Sequence, residues 1–287
     1  MCSTRLAPSL EDEVAPETAA FYRRALQVLA DAGVPFLVGG AFSHACFTGI
    51  RRSTKDLDLF IRRRDYERIV ELMHGQGWDT EMAYPHWLAK IWHEGDFIDL
   101  IFNSGNGVTP VDDRWFAGNL EADVLGVPVR VANLEDSLLS KAFIMERERY
   151  DGADVAHLIQ ANAETIDWAG LMERFNGNWR VLLAHLTLFG FIYPGERHRV
   201  PSWVMNKLMA RLAAETRQPA PDAHVCAGTL LSREQYLHDV EQLGYVDGRL
   251  TDVSTMTEDE VAIWTSAIPG REPTVPAPPL DGPRLRS

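Results

Sequence analysis

A short stretch in which acidic and apolar residues alternate constrains the fold of this chain more than any other feature. Residues 56 to 61 read Asp-Leu-Asp-Leu-Phe-Ile, the alternation typical of a β-strand. Asp56 and Asp58 would share one face of that strand, with their Cα atoms roughly 6.6 Å apart, and Leu57 and Leu59 the other. The two carboxylates could then lean onto one cation or a close pair. Taken alone, acids on the wet face of an edge strand explain the pattern equally well.

A third aspartate lies inside an apolar run. Asp99 is the single acid of the apolar run Phe97-Ile-Asp-Leu-Ile-Phe102. An earlier apolar run, Trp87–Trp92, is joined to this run across Glu94-Gly95. Two such runs around a short turn predict an antiparallel hairpin. A carboxylate in such a strand is costly unless it is paired, protonated or bound to a metal. A salt bridge to an arginine is the alternative to a metal.

A glycine pair follows the first apolar run of the chain. Pro35-Phe-Leu-Val predicts a buried strand, Gly39-Gly40 a turn, and residues 41 to 47 a helix. Free backbone N–H groups at the start of such a helix can bind phosphate, and Ser43 could add a hydroxyl. Tight packing explains about half of such turns, and no Gly-Lys-Ser/Thr follows, so this is not a P-loop.

The order of these elements resembles the polymerase-β-like nucleotidyltransferase superfamily. The residues that carry the resemblance are Val38-Gly39-Gly40, Asp56-Leu-Asp58-Leu and the later Asp99. Arg52-Ser-Thr54-Lys-Asp56-Leu-Asp58 is also similar to a motif of small bacterial nucleotidyltransferases, including the abortive-infection type IV toxins. The spacer between Gly40 and Asp56 holds 15 residues, which is longer than usual in the superfamily. The resemblance covers about residues 34 to 160.

The resemblance implies a fold, a reaction and a set of site residues. It implies an α/β (α+β) core with a mixed sheet flanked by helices, two Mg²⁺ ions, and transfer of a nucleotide from an NTP with release of pyrophosphate. The metal ligands and catalytic residues would be Asp56, Asp58 and Asp99. The nucleotide would be held by Gly39, Gly40, Ser43, Arg52 and Thr54, together with Lys141, Asp151 and Asp154 on later helices. A solvated helix face with ion pairs is an equal alternative for the last three.

The acceptor and the partners are left open by the sequence. Superfamily members act on tRNA ends, on antibiotics and on proteins, and an antitoxin partner is a further possibility for a toxin-like member. The formal net charge of −13 favours a small molecule or protein over RNA, whereas the arginines at positions 51, 52 and 62 to 64 leave RNA open. A non-catalytic nucleotide- or partner-binding module on the same fold is the rival interpretation, and a metal-dependent phosphohydrolase is a third.

The pattern along the chain predicts its organisation. We expect a nucleotidyltransferase core over residues 1–133, a mainly helical part over 134–268 and a disordered Pro-rich tail over 269–287. Cys2, Cys46 and Cys226 are too few for a disulfide framework. The most apolar stretch, Val181 to Tyr193, is too short to span a membrane. With no signal peptide visible, the expected location is cytoplasmic.

Overall fold

The computed structural model describes residues 14–52, 54 and 56–270. The predicted disordered tail lies outside the described residues from position 271 onward. The first part of the chain, up to residue 101, contains three helices and the five strands of the main sheet. The elements of this first part are α1 (Pro16–Asp31), β1 (Leu37–Val38), α2 (Gly40–Thr48), β2 (Leu57–Phe60), α3 (Tyr66–His74), β3 (Asp79–Tyr84), β4 (Leu88–His93) and β5 (Asp96–Ile101).

The sheet is mixed, as predicted. Its strand order is β1-β2-β5-β4-β3. Strand β2 runs parallel to β5, and the other neighbouring pairs are antiparallel. The predicted hairpin is confirmed, since β4 and β5 pair in antiparallel register. The alternation in β2 is also confirmed, because Leu57 and Leu59 are fully buried in the core whereas Asp58 is only half-buried on the opposite face.

One core fills the space between the sheet and the helices α1 and α3. Leu26 and Leu29 of α1 and Ile69 of α3 pack there against the buried side chains of β2 and β5. Ala19 of α1 is buried, whereas its neighbour Ala20 is exposed. Strand β1 has two residues and forms one edge of the sheet, and β3 forms the other edge. A small hairpin follows, with strands β6 (Glu121–Val124) and β7 (Val127–Arg130).

The second half of the chain is mainly helical. It contains α4 (Leu134–Ala142), α5 (Gly152–Asn162), α6 (Trp168–Phe175), α7 (Trp179–Ile192), α8 (Ser202–Thr216), the short pair β8 (Val225–Cys226) and β9 (Val246–Asp247), α9 (Leu237–Glu241) and α10 (Glu258–Ser266). Helices α4 to α8 share a separate apolar core. The division into domains at residues 133 and 268 stays a prediction. In the part of the chain that the structure describes, no helix combines the length and apolarity needed to cross a bilayer.

Residues 225–268, here called the C-terminal arm, return to the first half of the chain. Asn106, in the loop after β5, donates its Nδ2 hydrogen to the carbonyl of Leu230 at 2.5 Å, and Thr255 N–H donates to the carbonyl of Gly107 at 2.9 Å. The arm also meets the turn after α4, where Met145 N–H donates to the carbonyl of Leu231 at 3.0 Å. The arm therefore connects the loop after β5 with the segment that joins α4 to α5.

Candidate active site

Three carboxylates converge on the face of the sheet that points away from its core. Asp58 and Asp99 are direct partners in the parallel register of β2 and β5, so their side chains share one face. Asp56 immediately precedes β2. One oxygen atom from each of the three lies within 4.8 Å of those from the other two. Asp56, Asp58 and Asp99 are called the aspartate triad below.

The glycine pair allows α2 to begin directly beside this triad. Gly40 has a φ of +55°, and a Cβ built on it would lie 1.7 Å from Oδ2 of Asp58. A Cβ on Gly39 would lie 2.3 Å from the ring of Phe60, and the N–H of Gly39 donates to the carbonyl of Asp58 at 2.9 Å. Both positions therefore exclude side chains for packing reasons, and Gly40 also for its backbone conformation.

Burial and nearby negative charge raise the pKa of two of these carboxyl groups, Asp58 and Asp99. Burial, followed by the charges of Asp56 and Asp99, raises the pKa of Asp58 to about 7. Burial also raises the pKa of Asp99, although Lys90 opposes that shift. Lys90 lies opposite Asp99 on β4 and donates from Nζ to Oδ1 at 2.5 Å. The ion-pair partner of Asp99 is thus a lysine, not the arginine considered from the sequence.

A second charged group lies in the same cavity. Lys141 of α4 donates from Nζ to Oδ2 of Asp154 at 2.8 Å and contacts Oδ2 of Asp151 at 3.4 Å. Arg52 forms an ion pair with Oδ1 of Asp154. Burial alone would raise the pKa of Asp154, but the hydrogen bond and charge of Lys141, with further help from His44 and Arg52, hold it below its usual value. These four residues, Lys141, Asp151, Asp154 and Arg52, are called the Lys141 cluster.

The remaining nucleotide-binding candidates divide into two groups. Thr54 lies at the triad, where its hydroxyl hydrogen-bonds to Oδ1 of Asp56 at 2.8 Å. Ser43 is fully buried, and its hydroxyl lies 3.4 Å from the carbonyl of Ala132 and 3.3 Å from Oγ of Ser137. Ser43 and Gly39 do not line the cavity that holds the triad, whereas Gly40 does. The hydroxyl of Ser43 is therefore committed to packing between α2 and α4.

One cavity of about 950 Å³ joins these groups. The triad, the Lys141 cluster and the start of α2 line one part of it. The C-terminal arm supplies another wall through residues 229–235 and Trp264. Trp264 packs edge-on against Tyr84 and Trp87, with ring centroids 4.6 and 5.4 Å apart, and Arg233 lies over its ring at 4.4 Å.

Sequence reasoning missed several residues that line this cavity or contact the aspartate triad. Lys90 carried one signal, because lysine occurs at four positions of the chain and Lys90 is one of them. Arg149 donates two hydrogen bonds to Asp151, each 3.1 Å long. It lies in a charged segment, and nothing in the sequence sets it apart from the other charged residues there. His44 and Trp264 lacked any recognisable spacing. Their contacts depend on segments far apart in sequence, which only the fold brings together.

Several solved structures are similar to this chain. The lincosamide antibiotic adenylyltransferase LnuA with lincomycin bound is 16% identical with a TM-score of 0.37, over 50% of this chain and 96% of that one. An antigenic nucleotidyltransferase-like protein from Paracoccidioides brasiliensis is 14% identical with a TM-score of 0.44, over 65% and 93%. A putative nucleotidyltransferase from Thermotoga maritima is 15% identical with a TM-score of 0.35, over 44% and 84%. Likenesses at this level carry no inference about an acceptor.

The family comparison is more specific. No curated protein matches the chain significantly. Residues 19–188, which are more than half of the chain and include the aspartate triad and the Lys141 cluster, match the family described as "uncharacterised nucleotidyltransferase". The chain therefore belongs to this nucleotidyltransferase family and is a transferase of phosphorus-containing groups.

Proposed function

We propose that this enzyme transfers a nucleoside monophosphate from an NTP to an acceptor hydroxyl and releases pyrophosphate, in a Mg²⁺-dependent reaction. The single observation that carries the proposal is the convergence of three carboxylates within 4.8 Å of one another in a cavity that also holds Lys141 and Arg52. Acids that close together are unfavourable without a cation. Cationic groups a short distance away suit a triphosphate.

The donor chemistry of the triad fits magnesium. Mg²⁺ prefers oxygen ligands and retains several waters, so three carboxylates around an open cavity suit two such ions. Asp56, Asp58 and Asp99 would hold the ions. When bound, the ions would neutralise the triphosphate and lower the pKa of the attacking hydroxyl. Lys90 keeps one oxygen of Asp99 in place from the neighbouring strand.

The other residues would bind and orient the triphosphate. The N-terminus of α2 at Gly40 presents backbone N–H groups and the positive end of a helix dipole to phosphate. Lys141 offers a point charge and Arg52 a planar fork. Asp151 and Asp154 orient both cations before the nucleotide arrives. In-line attack on the α-phosphorus would then expel pyrophosphate towards these cations, and Asp99 would take the proton of the acceptor.

For the acceptor we propose a small molecule. The cavity of about 950 Å³ is walled on one side by the C-terminal arm, and the net charge of −13 opposes RNA. Arg62 and Arg64, which could have met RNA, pair with Asp113 at 2.6 and 2.5 Å. A tRNA end, a protein side chain and an antitoxin partner are the alternatives. We propose a cytoplasmic location, because the proposed reaction consumes NTP and needs Mg²⁺.

The test is nucleotide turnover by matched variants. Each of the four NTPs is incubated with the enzyme and a mixture of small hydroxyl-bearing molecules as acceptors, in Mg²⁺ or in EDTA, and pyrophosphate, phosphate and nucleotide binding are measured separately. We expect Mg²⁺-dependent binding of one NTP and pyrophosphate release. Both should be lost in Asp58→Asn and kept in Asp123→Asn, which changes an exposed acid of β6 whose Oδ1 accepts the N–H of Gly126 in the hairpin turn. Release of phosphate instead would favour the phosphohydrolase. Tight Mg²⁺-dependent binding without any turnover would favour the binding module.

A further inference from the structure

A second group of metal-ligand side chains lies outside the aspartate triad. His44 of α2 and Asp154 and His157 of α5 each offer one ligand atom, and these atoms lie within 4.8 Å of one another. His44 and Asp154 are buried, and His157 is half-buried. Asp154 and His157 are three residues apart on α5, so both project from one face of the helix towards α2.

The hydrogen bonds of His44 fix which nitrogen carries its proton. The hydroxyl of Thr48 donates to the carbonyl of His44 at 2.7 Å and accepts the N–H of Ile50 at 3.1 Å. The same hydroxyl oxygen lies 3.3 Å from Nδ1 of His44. Since its single proton is already used, the oxygen must accept from Nδ1–H of the ring. A neutral ring then has a bare lone pair on Nε2.

That lone pair faces a negative oxygen. Nε2 of His44 is buried without a hydrogen-bond partner among the described residues, and it lies 3.7 Å from Oδ1 of Asp154. Because the single proton of the neutral ring lies on Nδ1, where Thr48 accepts it, no proton lies between Nε2 and the Asp154 oxygen. Nδ1 of His157 is also buried without a partner among those residues. A cation between these groups would satisfy them all.

We propose that His44, Asp154 and His157 form a binding site for a transition-metal ion such as Zn²⁺, separate from the magnesium site. Two imidazoles and one carboxylate form a ligand set that suits Zn²⁺ or Co²⁺ and leaves a fourth position open. The Thr48 hydroxyl supports the ligand nitrogen in the usual way, by accepting the N–H on the other side of the ring. The site depends on none of the triad residues.

The position of this site couples it to the Lys141 cluster. Arg52 pairs with the oxygen of Asp154 that faces His44, whereas Lys141 holds the other oxygen. The side chain of Arg52 is 45% exposed, so it can leave without opening the core. A metal ion and Arg52 therefore compete for Oδ1 of Asp154. A bound ion would release Arg52 towards the cavity, which Arg52 also lines.

The experiment uses tag-free, full-length protein and Co²⁺ as the probe. Co²⁺ is titrated in excess Mg²⁺, which keeps the triad supplied with its own ion, and binding is followed by visible d–d absorption and by equilibrium dialysis. We expect one equivalent of Co²⁺, displaced by Zn²⁺. His44→Gln and His157→Gln should each weaken binding at least about tenfold, the loss of one ligand being worth more than 1.4 kcal/mol. Arg52→Met should tighten it by about tenfold, because a competing cation is removed.

Two control variants make the result decisive. His198→Gln removes an exposed histidine outside the site and should leave Co²⁺ binding unchanged. Asp58→Asn should also leave it unchanged, so that failure of the magnesium proposal and failure of this one are separable. Circular dichroism checks that each variant is folded. If His44→Gln does not fold, His157→Gln, which changes a half-buried residue, provides the second test. The proposal is wrong if no saturable Co²⁺ binding occurs, or if binding survives both histidine changes. Loss of that surviving binding in Asp58→Asn would locate the ion at the aspartate triad.

Discussion

At Gly40 two separate constraints meet on one residue. Its φ of +55° is a conformation that side chains disfavour, and the space where its Cβ would lie is taken by the carboxylate of Asp58. A different glycine, Gly49 at the end of the same helix, has a similar φ of +72° but open space around its Cα. Comparing substitutions at Gly40 and Gly49 therefore separates the cost of backbone strain from the cost of crowding Asp58.

We expect Gly40→Ala to lower the free energy of unfolding by about 2–4 kcal/mol. This is the cost of a left-handed backbone conformation added to the cost of overpacking. Gly49→Ala should cost about 1–2 kcal/mol from the backbone term alone. Urea denaturation measures both. Pyrophosphate release should fall sharply in Gly40→Ala only, because Asp58 must move. Equal effects of the two changes on stability and turnover would show that Gly40 does not crowd Asp58.

Asp58 makes stability depend on pH when metal is absent. Its folded-state pKa of about 7 lies above the ordinary 3.8, so the folded chain holds the proton more tightly than the unfolded chain does. The stability that this proton provides is present at low pH and is lost as the pH rises from about 4 to about 7. In EDTA, Asp58→Asn should therefore gain stability relative to the parent across that window, by up to about 4 kcal/mol. A difference between the two proteins that stays constant with pH would contradict this account.

The three aspartates could be predicted from the sequence, but their surroundings could not. Alternation fixes which residues of β2 share a face, and an acid inside an apolar strand demands a partner. Nothing in the sequence indicates that Lys90 lies across from Asp99, because that depends on the hairpin register. His44 has no partner within its own helix other than Thr48, so no spacing signalled its neighbours on α5.

At the scale of elements, adjacency of β2 and β5 creates the site. These strands are parallel and in register at Asp58 and Asp99, although α3 and two further strands separate them in sequence. The sequence predicted β2 and β5, and the pairing of β5 with β4, but not the pairing of β2 with β5. It also missed β3 at the edge of the sheet, whose residues from Asp79 to Tyr84 are half-buried or exposed, with none of them buried. Strands without a buried face leave no alternation to detect.

The junction of α4 and α5 gives a test at the same scale. Lys141 lies near the end of α4, and its two carboxylate partners lie at the start of α5. We expect Lys141→Ala to lower kcat/KM about 10- to 100-fold through the lost phosphate contact and to destabilise the junction by about 1–3 kcal/mol. Lys141→Arg should restore only part of the activity, because a planar fork does not occupy the same point.

Lys207 on the exposed side of α8 is the matched control. Lys207→Ala should change stability by no more than about 0.5 kcal/mol and leave kcat/KM unchanged. If Lys141→Ala behaves in the same way, Lys141 serves only as part of a solvated helix face, and its proposed phosphate contact is wrong.

At the scale of the whole molecule, the C-terminal arm completes the cavity. Trp264 of α10 inserts among Tyr84, His86 and Trp87, and a Cβ on Gly105 would lie 2.9 Å from its ring. The helical character of this half of the chain followed from its periodicity. The return of the arm to β4 and the loop after β5 did not, because contacts across more than 150 residues carry no local signal.

Trp264→Ala should release the arm from the cavity. We expect a loss of about 2 kcal/mol, less than for a fully buried tryptophan, and faster hydrogen exchange in α10 with unchanged exchange in β2 and β5. Trp203→Ala is the control, since that side chain is 47% exposed on α8 and should change neither quantity. Exchange in α10 that is unaffected by the loss of Trp264 would mean that other contacts hold the arm.

The central claim, that the aspartate triad binds a pair of divalent ions around a triphosphate, is tested most directly by Mn²⁺ binding. Mn²⁺ replaces Mg²⁺ in an equilibrium titration followed by electron paramagnetic resonance, with a non-hydrolysable NTP analogue present. The account predicts two bound Mn²⁺ ions per chain that persist in His157→Gln, which removes a ligand of the histidine site. It also predicts loss of at least one of the two in Asp58→Asn and in Asp99→Asn, with both kept in Asp123→Asn. Mn²⁺ binding that is unchanged by the triad substitutions would contradict it.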